Sequence, residues 1–184
     1  MIEAMPRDPS DAPSVLTIGH SNHTLDKFLG LLQQHDVEVV VDARSQPASR
    51  FSPHFGRKPL ERALTAASIG YLFLGDALGG RPQARECYDA DGKVDYDRIA
   101  EQPFYHRGIE QLLDGIARLR VCVLCAEEDP SHCHRRLLIT RTLIARGVEV
   151  RHIRGSGAVV TEDELRARDN PRQLSLPGSG ESER

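Results

Sequence analysis

Residues 121–146 read VCVLCAEEDPSHCHRRLLITRTLIAR, and they decide the fold. The run 121–126 is apolar and valine-rich with no polar alternation, the composition of a strand buried on both faces. Asp129 and Pro130 supply an N-cap and a proline at a first helical position. The spacing predicts a helix from there to about Arg146, ended by Gly147. Residues 148–153 (VEVRHI) then form a further strand. A buried strand, a helix and a second strand make a β-α-β unit, and such units build parallel sheets.

The same alternation extends upstream. Residues 14–19 (SVLTIG) form a short strand ending at a glycine. Thr24 caps a helix to about His35, with Leu25, Phe28, Leu29 and Leu32 at helical spacing. Residues 37–43 (VEVVVDA) are a β-branched strand, 47–56 are irregular, and Pro59 opens a helix to about Ser68. Residues 71–74 form a third strand, 75–102 a long polar loop, and 103–119 a helix. Thr161-Glu162-Asp163-Glu164 matches a capping box. The expectation is an α/β single-domain three-layer sandwich with a mainly parallel five-stranded sheet. It spans 14–168, with a flexible segment at 1–13 and a disordered tail at 169–184. The sequence shows no internal repeat.

The 184 residues suit one domain with a sizeable core. A net charge of −3 argues against a globally basic nucleic-acid protein, although local basic patches are compatible with it. No apolar run approaches the roughly 20 residues that span a bilayer, and the polar N-terminus lacks a secretory leader. Cys87, Cys122, Cys125 and Cys133 show no disulfide framework and read as thiols of a cytoplasmic protein.

In open α/β sheets ligands bind at the carboxyl ends of the strands. Those ends carry His20 and Ser21, then Asp42 and Arg44, then Gly79-Gly80-Arg81, then Cys125, Glu127 and Cys133-His134-Arg135. The opposite loops hold less varied chemistry. Asp42 and Glu127 are candidate acid–base groups with His20 beside them. Cys133, in the first turn of a predicted helix near basic residues, is a candidate nucleophile. Arg44, Arg81 and Arg135 suit an anion, with Ser21, Gly80 and His134 around it. Each has a structural alternative: Asp42 and Arg44 as an ion pair, Cys133 as a packing residue, Gly79-Gly80 as a hinge. Neighbouring helical residues point about 100° apart, so Cys133, His134 and Arg135 share one ligand only if the helix begins later than Pro130.

No metal set is assigned. Cys122 and Cys125 have C-x₂-C spacing, but three residues apart on a strand means opposite faces. A site using Cys125, Cys133 and a histidine stays open. No motif requires a cofactor, and no standard nucleotide motif is present.

Four motifs in order, Thr17-Ile18-Gly19-His20-Ser21, Val41-Asp42-Ala43-Arg44, Leu78-Gly79-Gly80-Arg81, and Cys125-Ala126-Glu127 with Cys133-His134-Arg135, resemble the domain of unknown function 488 family. The resemblance runs from about Val15 to Ile153. It implies that these positions form the family's signature, and it implies no activity. The functional expectation is an enzyme, a hydrolase or transferase, with a cleft for an anionic, phosphate-bearing ligand such as a nucleotide or nucleic acid. The alternatives are a non-catalytic nucleic-acid-binding module and a metal or thiol protein centred on Cys125 and Cys133. No membrane partner is expected, and the sequence leaves the oligomeric state open.

Overall fold

Strand β4 (Val121–Cys125) is buried at every residue, as its continuous apolar run requires. It lies inside a six-stranded sheet of order β3-β2-β4-β1-β5-β6, in a computed structural model describing residues 13–48 and 51–169. β1 (Ser14–Gly19), β2 (Val39–Asp42), β3 (Gly70–Phe73), β4 and β5 (Glu149–Ile153) are parallel, and β6 (Val159–Thr161) runs antiparallel to β5. The expected α/β class and mainly parallel sheet are present, with six strands instead of five. β6 is three residues long and gives no periodic signal.

Alternation along the strands sends residues to two cores. Ile18, Val40, Cys122 and Leu124 pack with α1 (Leu25–Gln34) and α2 (Arg57–Ala66), through Phe28, Leu32, Leu60 and Leu64. Val15, Val41, Val121, Val123 and Val150 pack on the other face. There they meet Ile109, Leu112 and Ile116 of α5 (Pro103–Ile116) and Leu143 of α6 (Arg141–Ala145). Each such fully buried side chain contributes roughly 1.5–3 kcal/mol. Thr24 caps α1, accepting from the Lys27 N–H.

Several expectations are corrected. Residues 75–102 are not a structureless loop. They hold α3 (Gly75–Leu78), a 3-10 turn (Arg85–Cys87), a Tyr88–Val94 bridge and α4 (Tyr96–Ala100), the last capped by Asp95. These elements are too short for a periodic pattern to reveal them.

The helix expected from Pro130 begins instead at Arg135, as a π-helical turn (Arg135–Thr140) that runs into α6. Asp129 does not cap it. Its carboxylate accepts from the Ser131 N–H in a local turn. The chain closes with α7 (Glu162–Asp169), where Thr161 and Glu164 exchange the two hydrogen bonds of a capping box. Asp169 thus ends a helix instead of opening a tail. Pro13 accepts a hydrogen bond from Glu149 and so already adjoins the sheet. The rest of the expected lead-in and tail lies outside the described residues.

Candidate functional site

Register decides which of the predicted residues can meet. Gly19 pairs with Cys125, and Asp42 pairs with Leu124. Adjacent positions on a strand face opposite ways. The carboxyl edge therefore carries two separate groups, one over α1 and α2 and one over α5 and α6.

The first group is centred on Asp42, which is fully buried. Its carboxylate accepts from the Arg44 backbone N–H, Nε and Nη2, the last at 2.6 Å, and from the Tyr71 hydroxyl at 2.7 Å. Arg44 Nη1 donates to the Phe55 carbonyl. The Asp42 carboxylate is filled by these donors, and Arg44 is held by Asp42 and the Phe55 carbonyl. The His20 ring stacks on Phe55 with centroids 4.4 Å apart, and its Nδ1 donates to the Ser21 carbonyl. Burial, helped by the nearby Arg44 charge, lowers His20 to about 4. Ser21 has a φ of +46°, unusual for a residue with a side chain. Its N–H donates to the Ala126 carbonyl, and its hydroxyl turns toward Asn22.

The second group is denser. Cys125 shares its strand face with Val121 and Val123, and Cys122 faces the other core, as the spacing predicts. Cys125 Sγ lies 3.1 Å from Cys133 Sγ, 3.5 Å from His134 Nδ1 and 3.5 Å from a Glu127 carboxylate oxygen. The ligand atoms of these four residues all fall within 4.8 Å of one another. Cys133 stands just before the Arg135–Thr140 helical segment, and His134, with helical φ and ψ, is its N-cap. A turn closed by Cys133 N–H to the Pro130 carbonyl precedes it. The sulfurs and the His134 ring are buried, and Glu127 is exposed.

The contact between the two thiols shifts them in opposite directions. The Cys133 thiol donates to Cys125, which lowers Cys125 against the opposing effect of burial, with His134 and Arg135 helping. Cys133 is pushed up by the same contact and by burial. Burial is the strongest single influence on His134 and works against its charge, but the Cys125 hydrogen bond and charge, the Ala43 carbonyl and Glu127 together outweigh it and raise the imidazole.

Arg135 has no exposed surface. Nη2 donates to the Glu128 carbonyl, while Nε and Nη1 have no hydrogen-bond partner among the described residues. An alanine Cβ at Gly19 would lie 1.7 Å from the Glu127 carbonyl oxygen and 2.7 Å from Arg135 Nη1, so only glycine fits there. Gly80 likewise lies against the His134 ring, where a Cβ would come within 2.7 Å. The Arg81 N–H donates to Ser45 Oγ, and the Arg81 side chain is exposed. It lines a cavity of about 500 Å³ with Ser45, Gln46, Gly75 and Asp76. A larger depression of about 700 Å³, walled by Ala77, Arg107 and Gln111, carries none of the cluster's side chains.

The structure thus brings Cys125, Glu127, Cys133 and His134 together, with Arg135 and Gly80 packed around them. Asp42, Arg44 and His20 lie in the other group, and among the described residues Arg44, Arg81 and Arg135 share no hydrogen-bond acceptor. Sequence reasoning left Cys125 outside the catalytic set, although its strand face was readable. It missed Tyr71 and Phe55, which no local signal marks.

No curated protein and no solved structure matches the chain. The family model described as domain of unknown function DUF488 matches residues 24–142, which include the Asp42 pair, the Gly79-Gly80 segment and the whole Cys125–Arg135 cluster. The chain belongs to the DUF488 family.

Proposed function

We propose that this protein is an enzyme whose reaction centre is the Cys125–Glu127–Cys133–His134 group, acting on an anionic, phosphate-bearing ligand such as a nucleotide or nucleic-acid segment. One observation carries the reading. Four chemically competent side chains converge within 4.8 Å at the carboxyl end of β4, and the exposed one is a carboxylate. Glu127 is then the acid–base group, reachable by substrate and backed by a buried sulfur and imidazole cluster. Support for the ligand class comes from the neighbouring cavity. Its volume suits a small ligand, and the exposed Arg81 in its wall can pair with a phosphate. Asp42 acts in this reading as the partner of Arg44, because its carboxylate already accepts four hydrogen bonds.

The test measures binding and turnover of a nucleoside monophosphate and a short single-stranded oligonucleotide by calorimetry and product analysis. Arg81→Ala is expected to weaken binding about tenfold, as the loss of one charged contact. Glu127→Gln is expected to keep binding and lose turnover. Binding without turnover in the unaltered protein would favour the non-catalytic module instead. Absence of binding, or binding indifferent to Arg81→Ala, would remove the reading.

A further inference from the structure

We infer that Cys125, Cys133 and His134 form a binding site for a soft divalent metal of the zinc type, with Glu127 facing the remaining coordination position. The inference deepens the proposed function and rests on the same group of residues being its centre.

Geometry is the first argument. Zinc binds sulfur at about 2.3 Å and imidazole nitrogen at about 2.0–2.1 Å, so tetrahedral donors stand roughly 3.5–3.8 Å apart. The Cys125 Sγ to His134 Nδ1 distance is 3.5 Å, and Cys133 Sγ to His134 Nδ1 is 4.0 Å. The two sulfurs, at 3.1 Å, need to open by about 0.7 Å to reach tetrahedral spacing. The donor set of two thiolates and an imidazole selects zinc-like ions over calcium or magnesium.

The surroundings make the second argument. His134 Nε2 lies 3.0 Å from the Ala43 carbonyl oxygen. A carbonyl only accepts, so Nε2 carries the hydrogen, and Nδ1 is the nitrogen left facing the sulfurs. Ligating histidines are held in this way, by a carbonyl on the far nitrogen. Gly80 lies so close to His134 that a side chain there would collide with its ring. The Arg135 backbone N–H points at Cys133 Sγ at 3.5 Å.

Charge is the third argument. Arg135 is a fully buried cation whose Nε and Nη1 find no partner among the described residues. Two thiolates cancel a dication, and Glu127 balances Arg135, so the occupied centre is neutral. Metal entry displaces the thiol protons from the site. Cys125, Cys133 and His134 are buried, and the exposed Glu127 carboxylate stands at the fourth position, where it can ligate the ion directly or hold a water against it.

The experiment titrates the reduced, metal-stripped full chain with zinc(II) and cobalt(II) under anaerobic conditions. One ion per chain is expected, and the cobalt form should show thiolate-to-metal charge transfer with tetrahedral d–d absorption. Cys125→Ser and Cys133→Ser should each weaken binding about a hundredfold or more. Gly80→Ala, which pushes the ring without removing a donor, should weaken it roughly 10- to 100-fold. The cobalt spectrum of the unaltered chain keeps the test decisive even if a serine variant unfolds. A spectrum without thiolate charge transfer, or affinity unchanged in both serine variants, overturns the inference. A Cys125–Cys133 disulfide that persists through reduction and blocks metal uptake also overturns it. Nucleotide binding is followed on the same preparations. No metal with intact ligand binding refutes the metal site alone, and bound metal without ligand binding refutes the phosphate-ligand reading alone.

Discussion

Asp42 shows how one buried residue divides structure from chemistry. It has no exposed surface, and Arg44 is only 7% exposed. Removing one partner of such a pair leaves the other charge buried and uncompensated, which costs about 3–5 kcal/mol. Asp42→Asn is therefore expected to lower unfolding stability by that order in urea melts. It should leave cobalt binding at the Cys125 cluster within experimental error, because that group lies on the other face of the sheet. A large loss of cobalt binding in a folded Asp42→Asn chain would show that the two groups act as one.

At the scale of elements, the π-helical turn Arg135–Thr140 places two consecutive arginines in different buried networks. Arg135 goes to the strand ends beside Glu128, and Arg136 reaches α7. Arg136 Nε contacts both Glu162 oxygens at 3.0 Å, and its Nη1 donates to Asp169 at 2.7 Å. Charge-assisted bonds of this kind are worth roughly 1.5–3 kcal/mol. Glu162→Gln is expected to cost about 2 kcal/mol and to speed amide exchange across Glu162–Asp169, with β4 protection retained in exchange measurements. Unchanged exchange in α7 would mean that Leu165 burial alone holds the helix.

For the whole molecule, two buried histidines set a pH dependence. His152 has no exposed surface and sits between Thr17, Glu162, Arg135 and Arg136. Burial lowers both His152 and His20 to about 4, and neighbouring arginines push the same way. The unfolded histidine, near 6.5, binds a proton more readily than the folded one. The stability contributed by these two histidines is thus full above about pH 6.5 and falls as pH drops toward 4. The slope is roughly 1.4 kcal/mol per pH unit for each histidine, or about 3 kcal/mol each over that window. Urea melts at pH 7.5, 5.5 and 4.5 should show this fall, and His152→Gln should flatten part of it. An equal slope in that variant would assign the effect elsewhere.

The sequence by itself determined the α/β class, five of the six strands, the Thr24 cap, the Thr161–Glu164 capping box and the edge of the sheet at which the polar side chains collect. Those follow from local periodicity and from short-range hydrogen bonds, which composition and spacing express directly. It also separated Cys122 from Cys125, because alternation is a property of the strand alone. Tertiary structure decided the rest. Which strand ends face one another depends on register, and register put Gly19 beside Cys125 and Asp42 beside Leu124. The start of the last long helix moved from Pro130 to Arg135, since packing of Arg135 and Leu138 competes with a local capping signal. Cys133 and His134 stand just before that start. The reading of one polar cleft thereby became two: a buried ion pair on one face, and a cysteine–histidine cluster on the other.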